Sequence, residues 1–157
     1  MQQKSNGYSL ASVRVGEMKT ILIAIMCLIG LSFTCSYAGN MENGLTAYDN
    51  GDYKTAHKFF LLEAEKGDAR AQYYLGVMYH IGQGVLQDYK EAVKWWLLAS
   101  DQGNAKAKCN LAEMYAAGVE IKQDLPTAKR LAKEGFDAGE KYCELVWDKY
   151  NLANCCQ

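Results

Sequence analysis

The sequence predicts an all-α fold, a solenoid of stacked helix pairs. Three observations lead there. First, residues return every 36 positions: Ala56, Ala92 and Ala128; Gly67, Gly103 and Gly139; Asp52, Asp88 and Asp124. Second, Tyr79 and Tyr115, and Gly82 and Gly118, keep the same interval, and the aromatic pair Phe59-Phe60 returns as Trp95-Trp96. Third, apolar residues inside each interval fall at helical spacing, with glycine turns between the runs. A fixed period of this size denotes supersecondary units, each leaving an apolar flank for the next to cover.

The stack is expected to begin after a leader. Met18-Lys19 opens an apolar run from Ile21 to Leu31, and small residues close it at Ser36-Tyr37-Ala38-Gly39. A basic start, a short apolar stretch and small residues before the cut describe a secretory signal peptide. Residues 1–38 are read as that leader, cleaved after Ala38, with residues 1–17 as an upstream extension and Met18 as an alternative start. The competing readings are an uncleaved anchor, although a span wants about 20 apolar residues, and a lipid-modified Cys35. Ser32-Phe33-Thr34 departs from the Leu and the Gly or Ala that normally precede a lipidated cysteine.

Seven helices follow in residues 39–157, at about 41–49, 53–66, 69–80, 89–102, 105–117, 125–138 and 140–150, and no strand. They group into units of about 41–68, 69–104 and 105–139, with 140–150 as a capping helix. The first helix is short and closes on a tight Asn50-Gly51 turn. Asp52, Asp88 and Asp124 are N-caps, Asp88 with Glu91 three residues on as a capping box. Pro126 sits in a first turn, where its missing N–H costs nothing. Gly67, Gly103 and Gly139 end the second helices in left-handed conformation.

The middle unit is the most regular. Ala71, Leu75, Met78 and Tyr79 make the buried stripe of its first helix, and Gly76 permits close helix approach. Gly82 and Gly84 turn the chain, and Ala92, Val93, Trp96 and Ala99 form the inner face of the second helix. In the third unit Gly118-Val119-Glu120-Ile121 replaces the two-glycine turn, so that loop is expected to differ. The paired aromatics are read as core anchors, each worth roughly 1.5–3 kcal/mol on burial, with one member of each pair half-buried. Glu63-Ala64-Glu65-Lys66 reads as a solvated helix surface.

Removing Lys4, Arg14, Glu17 and Lys19 with the leader moves the formal charge from −1 to about −3. That is no footprint for nucleic acid, which calls for a basic stripe, nor for an anionic membrane surface. Cys109, Cys143, Cys155 and Cys156 remain, an even count that in an exported chain suggests disulfides. A Cys155–Cys156 bond would be vicinal and strained. Two pairings remain, and in both the tail is stapled to Cys109 and to Cys143; four free thiols are the alternative. His57 and His80 lie far from the cysteines and no Cys-x-x-Cys occurs, so no metal site and no cofactor are expected.

The run Ala69-x-Ala71-x-x-x-Leu75-Gly76-x-x-Tyr79-x-x-Gly82-x-Gly84-Val85-x-x-Asp88-x-x-x-Ala92-x-x-Trp95-x-x-x-Ala99-x-x-x-Gly103 resembles the Sel1-like repeat family, a relative of the tetratricopeptide repeats. Residues 52–68 and 104–143 fit with departures: Ala112 and Glu120 for glycine, Arg130 and Leu131 for aromatics. The resemblance implies an α-solenoid whose concave face binds proteins, in adaptors often exported from bacteria. A secreted branch of the family carries disulfides at a short regular spacing. Cys109 and Cys143 lack that spacing, so the resemblance implies disulfides without a connectivity.

In such stacks the first helix of each pair lines the inner surface. Its positions outside the packing stripe are Arg70, Tyr74 and Val77, with Met78 beside them, and one period on Lys106, Asn110 and Glu113, with Met114. These change freely while the framework repeats, as a partner-specific surface would. The expected function is an exported adaptor that binds a protein partner through that concave face, acting as a monomer in the bacterial periplasm or outside the cell. One alternative is an immunity-type protein that neutralises a secreted toxin. An alternative of another class is a hydrolase acting on cell-wall or antibiotic substrates, with His57 or His80 as base. No nucleophile elbow, zinc-protease motif or phosphate loop supports it, and the chain is read as no enzyme.

Overall fold

The computed structural model describes residues 39–154. The leader reading, with its cleavage after Ala38, and Cys155 and Cys156 lie outside the described residues. Among those described there are seven helices and no strand. They are α1 (39–49), α2 (Tyr53–Glu65), α3 (Ala69–Ile81), α4 (Tyr89–Asp101), α5 (Ala105–Ala117), α6 (Leu125–Asp137) and α7 (Tyr142–Lys149). Consecutive helices pack as hairpins, α3 on α4 and α5 on α6 most extensively, and α7 lies against both α5 and α6. The architecture is an all-α solenoid of helix pairs.

Capping sets the helix starts. Asp52, Asp88 and Asp124 each accept a backbone N–H from the residue three positions on. The return half of the box at Asp88 is not formed. Its backbone N–H donates to the Tyr79 carbonyl at 2.9 Å, and Glu91 turns to Lys94. Asp124 repeats this by donating to Tyr115, and Asp52 by donating to Ala47, both at 2.9 Å. Ala47 precedes Tyr79 by only 32 residues, because the first hairpin turn is four residues shorter. The period shifts accordingly in α1: a side chain on Gly44 would collide with the Phe60 ring, as one on Gly76 would with Trp96.

The second member of each aromatic pair is buried, Phe60 and Trp96, and the first, Phe59 and Trp95, is half-buried. The Trp96 indole lies so close to α3 that a Cβ on Gly76 would stand 2.3 Å from it. Its Nε1 donates to the Tyr73 carbonyl at 3.2 Å. One period later it is Leu131 and Ala132, not Arg130 and Leu131, that take the aromatic seats. Ala132 is small, so Ala112 can stand where Gly76 stood, and both are fully buried.

Three expectations need correcting. The loop after α5 does not differ. It bends residue for residue like the loop after α3, because Glu120 adopts φ 59° where Gly84 has φ 73°. Glu63 and Ala64 are not solvated but buried. Their register belongs inside the stack, and Glu63 is held there by Asn40 at 3.0 Å and Lys66 at 2.7 Å. Finally, Cys109 is bonded to Cys143, the pairing set aside in favour of the tail, with Cα atoms 4.9 Å apart. The separation of 34 residues nearly matches the period, so the two cysteines face each other from neighbouring first helices. Gly135 leaves them room: a Cβ there would stand 2.3 Å from the Cys143 sulfur and 3.0 Å from that of Cys109.

Candidate functional site

Three of the six proposed contact residues converge. Arg70, Tyr74 and Lys106 line one surface recess of about 340 Å³ between α3 and α5, together with Tyr73, Asn104 and Glu140. Helical geometry accounts for this. Arg70 and Tyr74 are one turn apart on α3, and Lys106 is the period equivalent of Arg70 at the start of α5. Arg70 and Lys106 are exposed. Tyr74 is half-buried, with its ring stacked on Phe60 at 4.9 Å between centroids and edge-on to Tyr48 and Tyr73. The floor is therefore a rigid aromatic cluster, and the two cations stand at its rim.

The helix starts build the rest of the recess. Asp68 caps α3 through the Arg70 and Ala71 amides, and Asn104 caps α5 through the Ala107 amide. Asn104 also donates to the Ala69 carbonyl at 3.3 Å, joining the two helix starts. Asp68, Asn104 and Glu140 are one period apart, a signal present in the sequence and overlooked there. Burial, with Tyr74, Glu140 and Tyr48 nearby, raises the Tyr73 hydroxyl above its ordinary range, although Asn110 hydrogen-bonds to it.

The other proposed residues have different surroundings. Val77 is half-buried against the core, and Asn110 is engaged by Tyr73. Glu113 binds Lys149 at 2.7 Å and accepts from the Tyr142 hydroxyl. Burial alone would raise the Glu113 carboxyl; those two donors outweigh it and lower it. Burial and the Glu113 bond push Tyr142 up to about 12. Met78, read both in the buried stripe and beside the surface, and Met114 one period on are both buried in the core.

Each histidine packs against aromatic rings. His57 lies 3.4 Å from the Tyr79 hydroxyl, and its pKa is lowered by burial. His80 packs on the Tyr89 and Trp96 rings, and burial lowers it too, against the pull of Glu113. Among the described residues no group of three or more His, Cys, Asp or Glu side chains is placed to hold a metal ion. No described helix is long and apolar enough to cross a membrane.

The Sel1 repeat model matches residues 69–104 and 105–140, the second and third hairpins and the start of the cap. A solved structure of a protective antigen from uropathogenic Escherichia coli strains, displaying an SLR fold, is similar at 30% identity with a TM-score of 0.65. The match covers 71% of this chain and 25% of that one. A Sel1 repeat protein from Oxalobacter formigenes aligns at 24% identity and TM-score 0.66, over 73% of this chain and 45% of its own. This chain thus spans less than half the length of either. The comparison with curated proteins returned no match. Sel1 repeats generally mediate protein–protein interaction. With its period, its hairpins and these likenesses, the chain is a Sel1-like repeat protein.

Proposed function

We propose that this chain is an exported, non-catalytic adaptor that binds one protein partner on the concave side of the stack, through the recess between α3 and α5. The observation that carries this reading is the recess itself. Two cations, Arg70 and Lys106, flank the half-buried Tyr73 and Tyr74 on a floor already fixed by ring packing. Rigid aromatic surface costs little entropy to present, and charged rims steer and orient a partner. The chemistry suits a partner segment with a carboxylate beside an apolar side chain. The buried Cys109–Cys143 bond supports an oxidising compartment, and with it export to the periplasm or beyond.

The test is site-specific photo-crosslinking in cells of the source organism. A probe at Tyr74 or Lys106 should capture one protein, and a probe at Lys90 or Lys94 on α4 should not. Arg70→Glu with Lys106→Glu should then weaken that complex by about tenfold or more while leaving the far-ultraviolet circular dichroism unchanged. Equal capture from both faces, or a complex indifferent to the double reversal, rejects the reading. A captured toxin would favour the immunity-type role over a scaffold role. Turnover of a cell-wall or antibiotic substrate that disappears with His57→Ala or His80→Ala would favour the hydrolase.

A further inference from the structure

The far end of the stack carries a second recess, of about 370 Å³, between α6 and α7. Its lining includes Lys133, Phe136, Asp137, Glu144, Trp147 and Asp148. Moved back by one period, these positions are Leu97, Ser100, Asp101, Lys108, Leu111 and Ala112. Four of the six, Leu97, Ser100, Asp101 and Lys108, line the groove of about 300 Å³ that α6 forms with α4 and α5. The terminal recess is thus the seat that the second helix of one more hairpin would occupy.

Its side chains bear this out. Ala64 and Ser100 are 3% and 8% exposed, and Phe136, which follows them in register, is 52% exposed. Leu75 and Leu111 are fully buried, and Trp147 in their register is only half-buried. Aromatic groups lie open at positions that the preceding units bury, and terminal repeats ordinarily have a polar outer face.

The charges say what kind of helix fits. In the filled seat, Lys108 of α5 binds Glu134 of α6 at 2.7 Å. In the open seat, the Lys108 position is Glu144. Lys133 is already paired with Asp137 at 2.7 Å, while Glu144 and Asp148 make no ion pair among the described residues. A second copy docking through this same acidic seat would set like charges against each other.

We propose that this seat receives an amphipathic helix from another protein, with an apolar ridge on Phe136 and Trp147 and a lysine or arginine opposite Glu144. This is a site separate from the α3–α5 recess, and it stands or falls without it.

The test uses the full chain and two synthetic peptides. One has the α6 sequence from Asp124 to Ala138, and the other is the same with Glu134→Lys. The lysine peptide should bind saturably, about fivefold more tightly than the native one. Glu144→Lys should invert that preference. Phe136→Ser, which installs the residue of the preceding unit, should weaken both peptides by about fivefold or more with unchanged circular dichroism. A peptide trading places with α6 itself would meet Lys108 and so prefer the native sequence, which separates the two seats. No saturable binding near 1 mM, a preference unmoved by Glu144→Lys, or self-association abolished by Phe136→Ser would each overturn the proposal, the last in favour of a second copy.

Discussion

The second and third hairpins share a backbone plan and fill it differently. In the second, one large ring does the packing: Trp96 lies over Gly76, with its indole N–H on the Tyr73 carbonyl. In the third, the same two seats hold Ala132 and Ala112, and a covalent bond from Cys109 to Cys143 ties the following helix down instead. Where a unit loses its anchoring ring, cohesion between layers is supplied by a cross-link. A repeat therefore keeps its backbone plan, and not the residues or the side-chain volume that pack it.

Removing the ring should break the comparison most visibly. Trp96→Ala is expected to cost about 3–5 kcal/mol, read from chemical denaturation, because nothing else fills the space above Gly76. If Ala132→Gly costs as much, the two hairpins are not packed in the different ways described. Next comes the cross-link. Cys109→Ala with Cys143→Ala should lose about 2–4 kcal/mol and expose α7 first, as faster amide exchange at Val146 than at Leu75.

Small substitutions sharpen the contrast. Gly76→Ala should destabilise by about 1–3 kcal/mol through overpacking on the indole, even though alanine is the better helix former. Ala112→Gly, the reverse change one period on, should cost only about 1 kcal/mol, the propensity difference. A stabilising Gly76→Ala would mean the Trp96 contact is not tight. Glu120→Gly should stabilise by about 1 kcal/mol, since it relieves a left-handed non-glycine residue.

The smallest effect is electrostatic. The Glu113 carboxyl is lowered in the folded state by its donors Lys149 and Tyr142. A lowered acid contributes stability above its unfolded pKa, and that contribution is lost as the pH falls through the folded value. The melting temperature of the native chain should therefore exceed that of Glu113→Gln by a small margin at pH 7. The margin should shrink below the ordinary carboxylate value of 4.5. A margin constant down to pH 3 would show that the carboxylate is not what joins α5 to α7.

The period made the helices, their aspartate caps and their glycine ends legible, because each depends on residues within one turn. It also located the buried aromatics, since recurrence in register distinguishes core from surface. What escaped was set by register across layers. Glu63 reads as solvated because of the acidic bias of residues 63–66, yet it occupies the place of Ala99 and Gly135, which are both buried. The Cys109–Cys143 bond was passed over because the tail cysteines were paired by elimination, whereas the stack sets consecutive first helices side by side. Of the proposed surface, Arg70, Tyr74 and Lys106 meet in one recess. Asn110 and Glu113 turned inward to Tyr73, Tyr142 and Lys149, partners that no local pattern announces.

The two long hairpin loops have one more consequence. Each is fastened at its ends by main-chain bonds, Gly82 to Met78 and Asp88 to Tyr79, Gly118 to Met114 and Asp124 to Tyr115. A glutamine side chain braces each one, Gln87 on the His80 carbonyl and Gln123 on that of Ala116. The tips between, at Leu86 and Val119, take no part in that fastening and point into water. They are natural splice points, where a foreign epitope or a fluorescent tag could be grafted while the scaffold beneath keeps its shape.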